Sequence, residues 1–116
     1  MPGGDINALV AVMSPDVETI TPSVPGLHSG GTWHGIPGFL EFVQLVTKDL
    51  EVKRFEPREI IAQGDKVVGI VNYSAIMKAT GRTIEVDLVH VFTIANGKVA
   101  KLREYYETHL ATEALA

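Results

Sequence analysis

Two ionisable residues stand out in segments that are otherwise built to be buried. In IEVDLVHVFTI, residues 84–94, every second position reads Ile84, Val86, Leu88, His90, Phe92 and Ile94. Glu85, Asp87, Val89, Val91 and Thr93 fall on the other side. A period of two marks a strand with one face toward a core, so His90 interrupts an apolar face. Glu104, in VAKLREYYE, alternates with Leu102 and Tyr106. A glutamate is almost never fully buried without a partner, and an isolated buried carboxylate is costly to hold charged. An imidazole and a carboxylate converging from neighbouring strands form either a structural ion pair or the polar floor of a cavity. In the second case the chemistry is general acid–base. Glu104 would act as the base, and His90 would orient it.

Convergence depends on the register of the hairpin at Asn96-Gly97. A two-residue turn sets His90 opposite Arg103. A three-residue loop, with Gly97 in the left-handed position of a bulge, is the expected register. It sets His90 opposite Leu102 and leaves Glu104 opposite Leu88, diagonal to His90 and within side-chain reach. Leu88, His90, Phe92, Ala100, Leu102, Glu104 and Tyr106 then share one face. Asp87, Thr93, Lys101 and Arg103 take the other, and a one-residue slip would carry charge inward.

Other residues admit a pocket reading beside a plainer one. Tyr73 shares an apolar strand face with Val71, Ala75 and Met77. Core packing competes there with lining a substrate pocket, as it does for Tyr106. Leu88 and Leu102 would be pocket walls. Trp33 would line a pocket mouth or plug the sheet. His28 and His34 lie in a Gly-rich loop, where exposure is the simple reading. With His90 they lack tight ligand spacing, so no metal is expected.

The elements that must position these residues follow from pattern. Ile6, Leu9, Val10 and Met13 fall at helical spacing after Asp5, a candidate N-cap, and Ser14-Pro15 closes that helix. A short strand spans 17–21. The Gly- and Pro-rich stretch SVPGLHSGGTWHGIPG reads as loop, with Trp33 on a short extended piece. A helix over 37–50 carries Phe39, Leu40, Val43, Val46 and Leu50 on one stripe. Strands at 60–63, 66–78, 84–94 and 99–106 complete a meander. The layout is α+β in a single domain, residues 1–116.

Composition narrows the function class. The chain has 116 residues, 46% of them hydrophobic, a mean hydropathy of +0.17, a formal charge of −4 and no cysteine. A cysteine nucleophile, disulfides and thiolate metal sites are excluded. The acidic balance and the lack of a Lys/Arg cluster argue against nucleic acid. No apolar run approaches the ~20 residues of a membrane-spanning helix, so no membrane partner is expected. The start, MPGGDINALV, carries no basic n-region or apolar h-region, and a cytoplasmic location is the expectation. Val71 or Val68, Val89, Val91 and Tyr105 make the outer sheet face more apolar than a free surface needs, which points to a homodimer.

Three stretches, GDINALVAVMSPDVE, GGTWHGIPGFLEFV and ATGRTIEVDLVHVFTIANGKVAKLREYYET, resemble the SnoaL-like branch of the nuclear transport factor 2-like superfamily. That superfamily includes polyketide cyclases, ketosteroid isomerases, limonene epoxide hydrolase and scytalone dehydratase. The resemblance covers nearly the whole chain and implies a cone-shaped fold, a curved antiparallel sheet with helices on its concave side. It implies a small hydrophobic ligand, no cofactor, and isomerase, cyclase or dehydratase chemistry on an apolar cyclic or polyketide-like carbonyl compound. A non-catalytic binding module of the same fold is the alternative. In relatives similar to SnoaL the base is a carboxylate on the last strand with a histidine on the preceding one. Glu104 and His90 fall at those positions, with Glu where the family has Asp. The ketosteroid isomerase base would fall near Thr21 or Pro22, and no carboxylate stands there. The family opens with a long helix ahead of the segment matched by GDINALVAV. Only Met1 to Gly4 precede it here, so that helix is expected to be missing.

Overall fold

The computed structural model describes residues 6–116, so the Asp5 cap and anything ahead of Ile6 lie outside the described residues. The elements run α1 (Ile6–Ala11), β1 (Met13–Thr21), β2 (Gly31–His34), α2 (Gly35–Asp49), β3 (Leu50–Gln63), β4 (Lys66–Met77), β5 (Thr83–Ala95), β6 (Lys98–Tyr105) and α3 (Thr108–Leu115). Six strands form one sheet in the order β2-β1-β6-β5-β4-β3. The architecture is α+β, as the pattern of helices and strands implies.

The four-strand meander from β3 to β6 is antiparallel throughout. β1 departs from the expected antiparallel sheet, because it lies parallel to β6. Register shifts bend the sheet. They fall at Lys53 and Arg58 in β3, at Ala100 in β6, and in β1 between Met13 and Glu18. An extra residue on one strand of a pair bends it and increases its twist, and these shifts curl the sheet around the helices.

Two apolar clusters fill the curl. Met13, Val17, Phe39, Val99 and Leu102 form one, with Leu9 from α1 and Phe42 and Val43 from α2 packed against it. Leu50, Val71, Tyr73, Ala75, Met77, Ile84, Val86 and Leu88 form the other with Ala111 and Ala114 of α3. α2 runs directly into β3: the Leu50 N–H still caps the helix by donating to the Val46 carbonyl while Leu50 is already extended.

Four local expectations are corrected. Helix α1 ends at Ala11, and Met13 is a buried strand residue. Pro15, expected to close the helix, instead lies in the stretch of β1 between its paired residues Met13 and Glu18, where a residue lacking an N–H costs no ladder bond. β3 begins ten residues earlier than expected. It is an edge strand rich in Lys, Arg and Glu, as exposed edges tend to be, and its two shifts erase the period of two. α3 was not legible from pattern, being one short alanine-rich stretch.

The hairpin is corrected as well. Asn96 and Gly97 both take left-handed φ, 53° and 74°, which makes the tight two-residue turn matched to strand twist. The extra residue is absorbed one step later, at Ala100, where Thr93 pairs with Lys101 but Ile94 with Val99. His90 therefore stands opposite Glu104, not Leu102, and Phe92 stands opposite Leu102. The shared face survives the changed register, except that Val99 rather than Ala100 enters the core. On β4, Val71 is buried in the core, so Val68 and not Val71 belongs to the outer face.

Candidate active site

Between the two clusters lies a cavity of about 410 Å³, within the usual range of small-molecule sites. Its floor is the inner face of β3 to β6, its roof is α2, and α1, α3 and the loop after β1 close parts of its wall. The strand alternation delivers the floor residues in rows. One row, running across β4, β5 and β6, is Gly69, His90 and Glu104.

His90 Nε2 lies 2.9 Å from Glu104 Oε1. The two side chains are only 14% and 17% exposed, and both line the cavity. An Nε2–H donating to the carboxylate fixes the imidazole. The Phe55 and Phe92 rings pack near it, each with its centroid 6.1 Å from that of His90, the first tilted and the second edge-on. Among the described residues the contact with His90 is the hydrogen bond that the Glu104 carboxylate makes. Its second oxygen thus remains open to a ligand.

Two phenols share this space. Burial raises the Tyr73 hydroxyl well above its usual range, and the nearby charges of Glu104 and then Tyr106 push it further. Burial, then the Glu104 charge, pushes Tyr106 up to about 12. Both therefore stay protonated at neutral pH and serve as hydrogen-bond donors rather than as bases. The mutual influence also places Glu104 electrically next to both.

Of the residues anticipated at the site, Glu104, His90, Tyr73, Leu88, Leu102 and Tyr106 line the cavity. Trp33 does not. Its indole N–H donates to the Ser29 carbonyl at 2.9 Å, tying the loop after β1 to β2. His28, read as simply exposed, is 57% exposed yet bound to Asp49 at 2.7 Å by Nδ1, with its backbone N–H on the other carboxylate oxygen. Phe55 escaped sequence reading. It is a lone apolar residue in KRFEPRE, and that isolation among charges was the available signal. Among the described residues no three His, Asp or Glu side chains gather as a metal site would require.

Comparison with known proteins bears on the family and the fold. A family model described as a SnoaL-like domain matches residues 2–102. An NTF2-like protein from Burkholderia xenovorans LB400 is 31% identical, with a TM-score of 0.84 over 99% of this chain and 86% of that one. TerC, co-crystallised with polyporic acid, is 34% identical, with a TM-score of 0.83 over 96% of this chain and 85% of that one. A protein from Mesorhizobium loti called a SnoaL-like polyketide cyclase is 22% identical, with a TM-score of 0.78 over 90% of this chain and 87% of that one. This last likeness speaks for the fold alone. No curated protein matches the chain.

Proposed function

The chain belongs to the SnoaL-like domain family, within the NTF2-like fold, and from that premise we propose that it is a cofactor-free acid–base enzyme acting on an apolar cyclic or polyketide-like carbonyl compound. The observation that carries this reading is the His90–Glu104 pair on the floor of an otherwise apolar cavity, beside two protonated phenols. The free oxygen of Glu104 takes a proton from the carbon next to the ligand carbonyl. The C–H electron pair moves into the enolate, whose oxygen accepts a hydrogen bond from Tyr73 or Tyr106. His90, donating to the other carboxylate oxygen, keeps the base aimed. Returning the proton at a different carbon gives an isomerase, and carbon–carbon attack by the enolate gives a cyclase. Leu88 and Leu102 supply apolar wall. The co-crystallisation of TerC with polyporic acid, a diaryl hydroxyquinone, supports an oxygenated ring compound as the ligand class.

Deuterium exchange at the acidic C–H of β-tetralone in heavy water tests the base. The wild-type protein accelerates exchange, and Glu104→Gln lowers that rate by about 100-fold or more, roughly the share that general-base catalysis supplies, while keeping the fold and the affinity. Equal exchange by both proteins would remove Glu104 from the mechanism.

The second reading, a binding module without turnover, is favoured by the His90–Glu104 contact itself, since a carboxylate satisfied by its neighbour also serves as a structural pair. Binding of β-tetralone with no accelerated exchange would select it. The proposal extends to a homodimer in the cytoplasm, formed through the outer sheet face. There Val68, Val89 and Val91 are half-buried and Tyr105 is 46% exposed, with the Arg103 guanidinium over its ring. Light scattering at micromolar concentration should return twice the chain mass of 12.6 kDa.

A further inference from the structure

Gly69 lies in the interior of β4, opposite Ile60 on one side and His90 on the other. Glycine in a strand interior costs backbone entropy and contributes no packing, so its presence beside the His90–Glu104 pair asks for a reason. Several of the usual ones fail. Gly69 is not among the glycines with positive φ. It is in regular register with both neighbouring strands. A β-carbon there would meet no heavy atom within 4 Å beyond its own chain neighbours, so neither a close backbone nor an aromatic ring lying on the strand explains it. Phe55 and Phe92 both contact His90 yet leave this spot bare.

A bend or the approach of a ligand remains, and the place of Gly69 in the cavity lining, opposite His90, favours the ligand. We propose that Gly69 is the specificity-determining residue of the cavity, a bare patch one side chain deep on which a flat ring of the substrate lies. The proposal rests on the active-site reading above and narrows its substrate class to planar aromatic or quinonoid rings. A ring on this patch has the His90–Glu104 pair at its edge, in the same cross-strand row. Phe55 and Phe92 line the same cavity, and aromatic rings favour offset or edge contacts with a flat π-system. A saturated ring, thicker by its axial hydrogens, fits such a shallow patch less well. Any β-carbon at position 69 occupies the patch without disturbing the protein.

The test is binding of lawsone, a planar hydroxyquinone, and polyporic acid, whose quinone ring is planar, against trans-decalone, a saturated bicyclic ketone, to wild-type protein, Gly69→Ala and Gly69→Val. The wild type is expected to bind at least one quinone more tightly than the decalone. Gly69→Ala should weaken quinone binding and Gly69→Val should weaken it by about tenfold or more, the scale set by one extra methylene-sized group in a pocket. Both variants should melt no lower than wild type, and if Gly69→Val melts early, Gly69→Ala carries the comparison. Unchanged quinone binding in the variants, or a wild-type preference for the decalone, overturns the proposal. So does a wild type that binds neither quinone. These outcomes are separate from the fate of the base. Loss of β-tetralone exchange in Glu104→Gln with intact quinone binding in Gly69→Val would remove the patch and keep the mechanism.

Discussion

His90 and Glu104 are direct cross-strand partners, and the 2.9 Å contact between Nε2 and Oε1 follows from that pairing. Residues directly opposite on one face of an antiparallel pair hold their β-carbons about 4.5–5.5 Å apart, so the two polar ends meet without distorting either strand. The bulge at Ala100 is what brings them level. Without it the two-residue turn would set Arg103 opposite His90.

His90→Phe separates packing from polarity. A phenyl ring keeps the contacts with Phe55 and Phe92 but leaves the part-buried Glu104 carboxylate without its donor. Stability should fall by about 1–3 kcal/mol, the cost of leaving a buried polar group unpaired, and β-tetralone exchange should slow. Chemical denaturation together with the exchange rate checks both. An unchanged midpoint would mean that the pair contributes nothing to the fold.

The buried phenols set an alkaline limit. Tyr73 and Tyr106 ionise at a higher pH in the fold than in the unfolded chain, where tyrosine ionises near 10. A raised folded-state value stabilises fully below that pH and is lost as pH climbs toward about 12. Thermal melting should therefore be insensitive to these groups at neutral pH and decline steeply above pH about 10. Replacing both tyrosines by Phe should flatten that decline. A decline of the same steepness in the double variant would assign it to other groups.

Asp49 clasps the loop that closes one wall of the cavity. Its two carboxylate oxygens accept the His28 backbone N–H and the His28 Nδ1–H, each at 2.7 Å, and the neighbouring Leu27 and Ser29 line the cavity. Asp49→Ala should cost on the order of 1 kcal/mol or more. It should also raise hydrogen exchange in residues 22–30 before the sheet is affected. Protection unchanged in that loop would mean that Trp33 and α3 hold it unaided.

Thr19 is the reverse case, a fully buried hydroxyl that finds no hydrogen-bond partner among the described residues. Valine has nearly the same shape and no polar atom to desolvate. Thr19→Val should therefore raise stability, by about 1 kcal/mol or somewhat more. A lower melting temperature in the variant would show that the hydroxyl is satisfied in solution.

Alternation alone determined much of this protein. Each strand residue has its neighbours at i±2 on the same face, so Leu88, His90 and Phe92 had to look one way, and Leu102, Glu104 and Tyr106 had to look one way too. The two ionisable groups on apolar faces were legible for the same reason; the helical spacing of α2 showed Phe39, Val43 and Val46, but Leu40, read on the same stripe, is exposed and Leu50 already belongs to β3. What lay beyond the sequence was decided by interactions that no local period encodes. The turn type and the compensating bulge at Ala100 depend on how two strands fit each other, and together they moved the partner of His90 from Leu102 to Glu104. β3 was hidden because an edge strand with two register shifts and an exposed face buries too little to show a pattern. Trp33 was drawn from the pocket by a carbonyl four residues earlier, at Ser29. Gly69 carries no signal of its own in one dimension. Only the closed sheet shows that the space above it is empty of protein and lies beside the base.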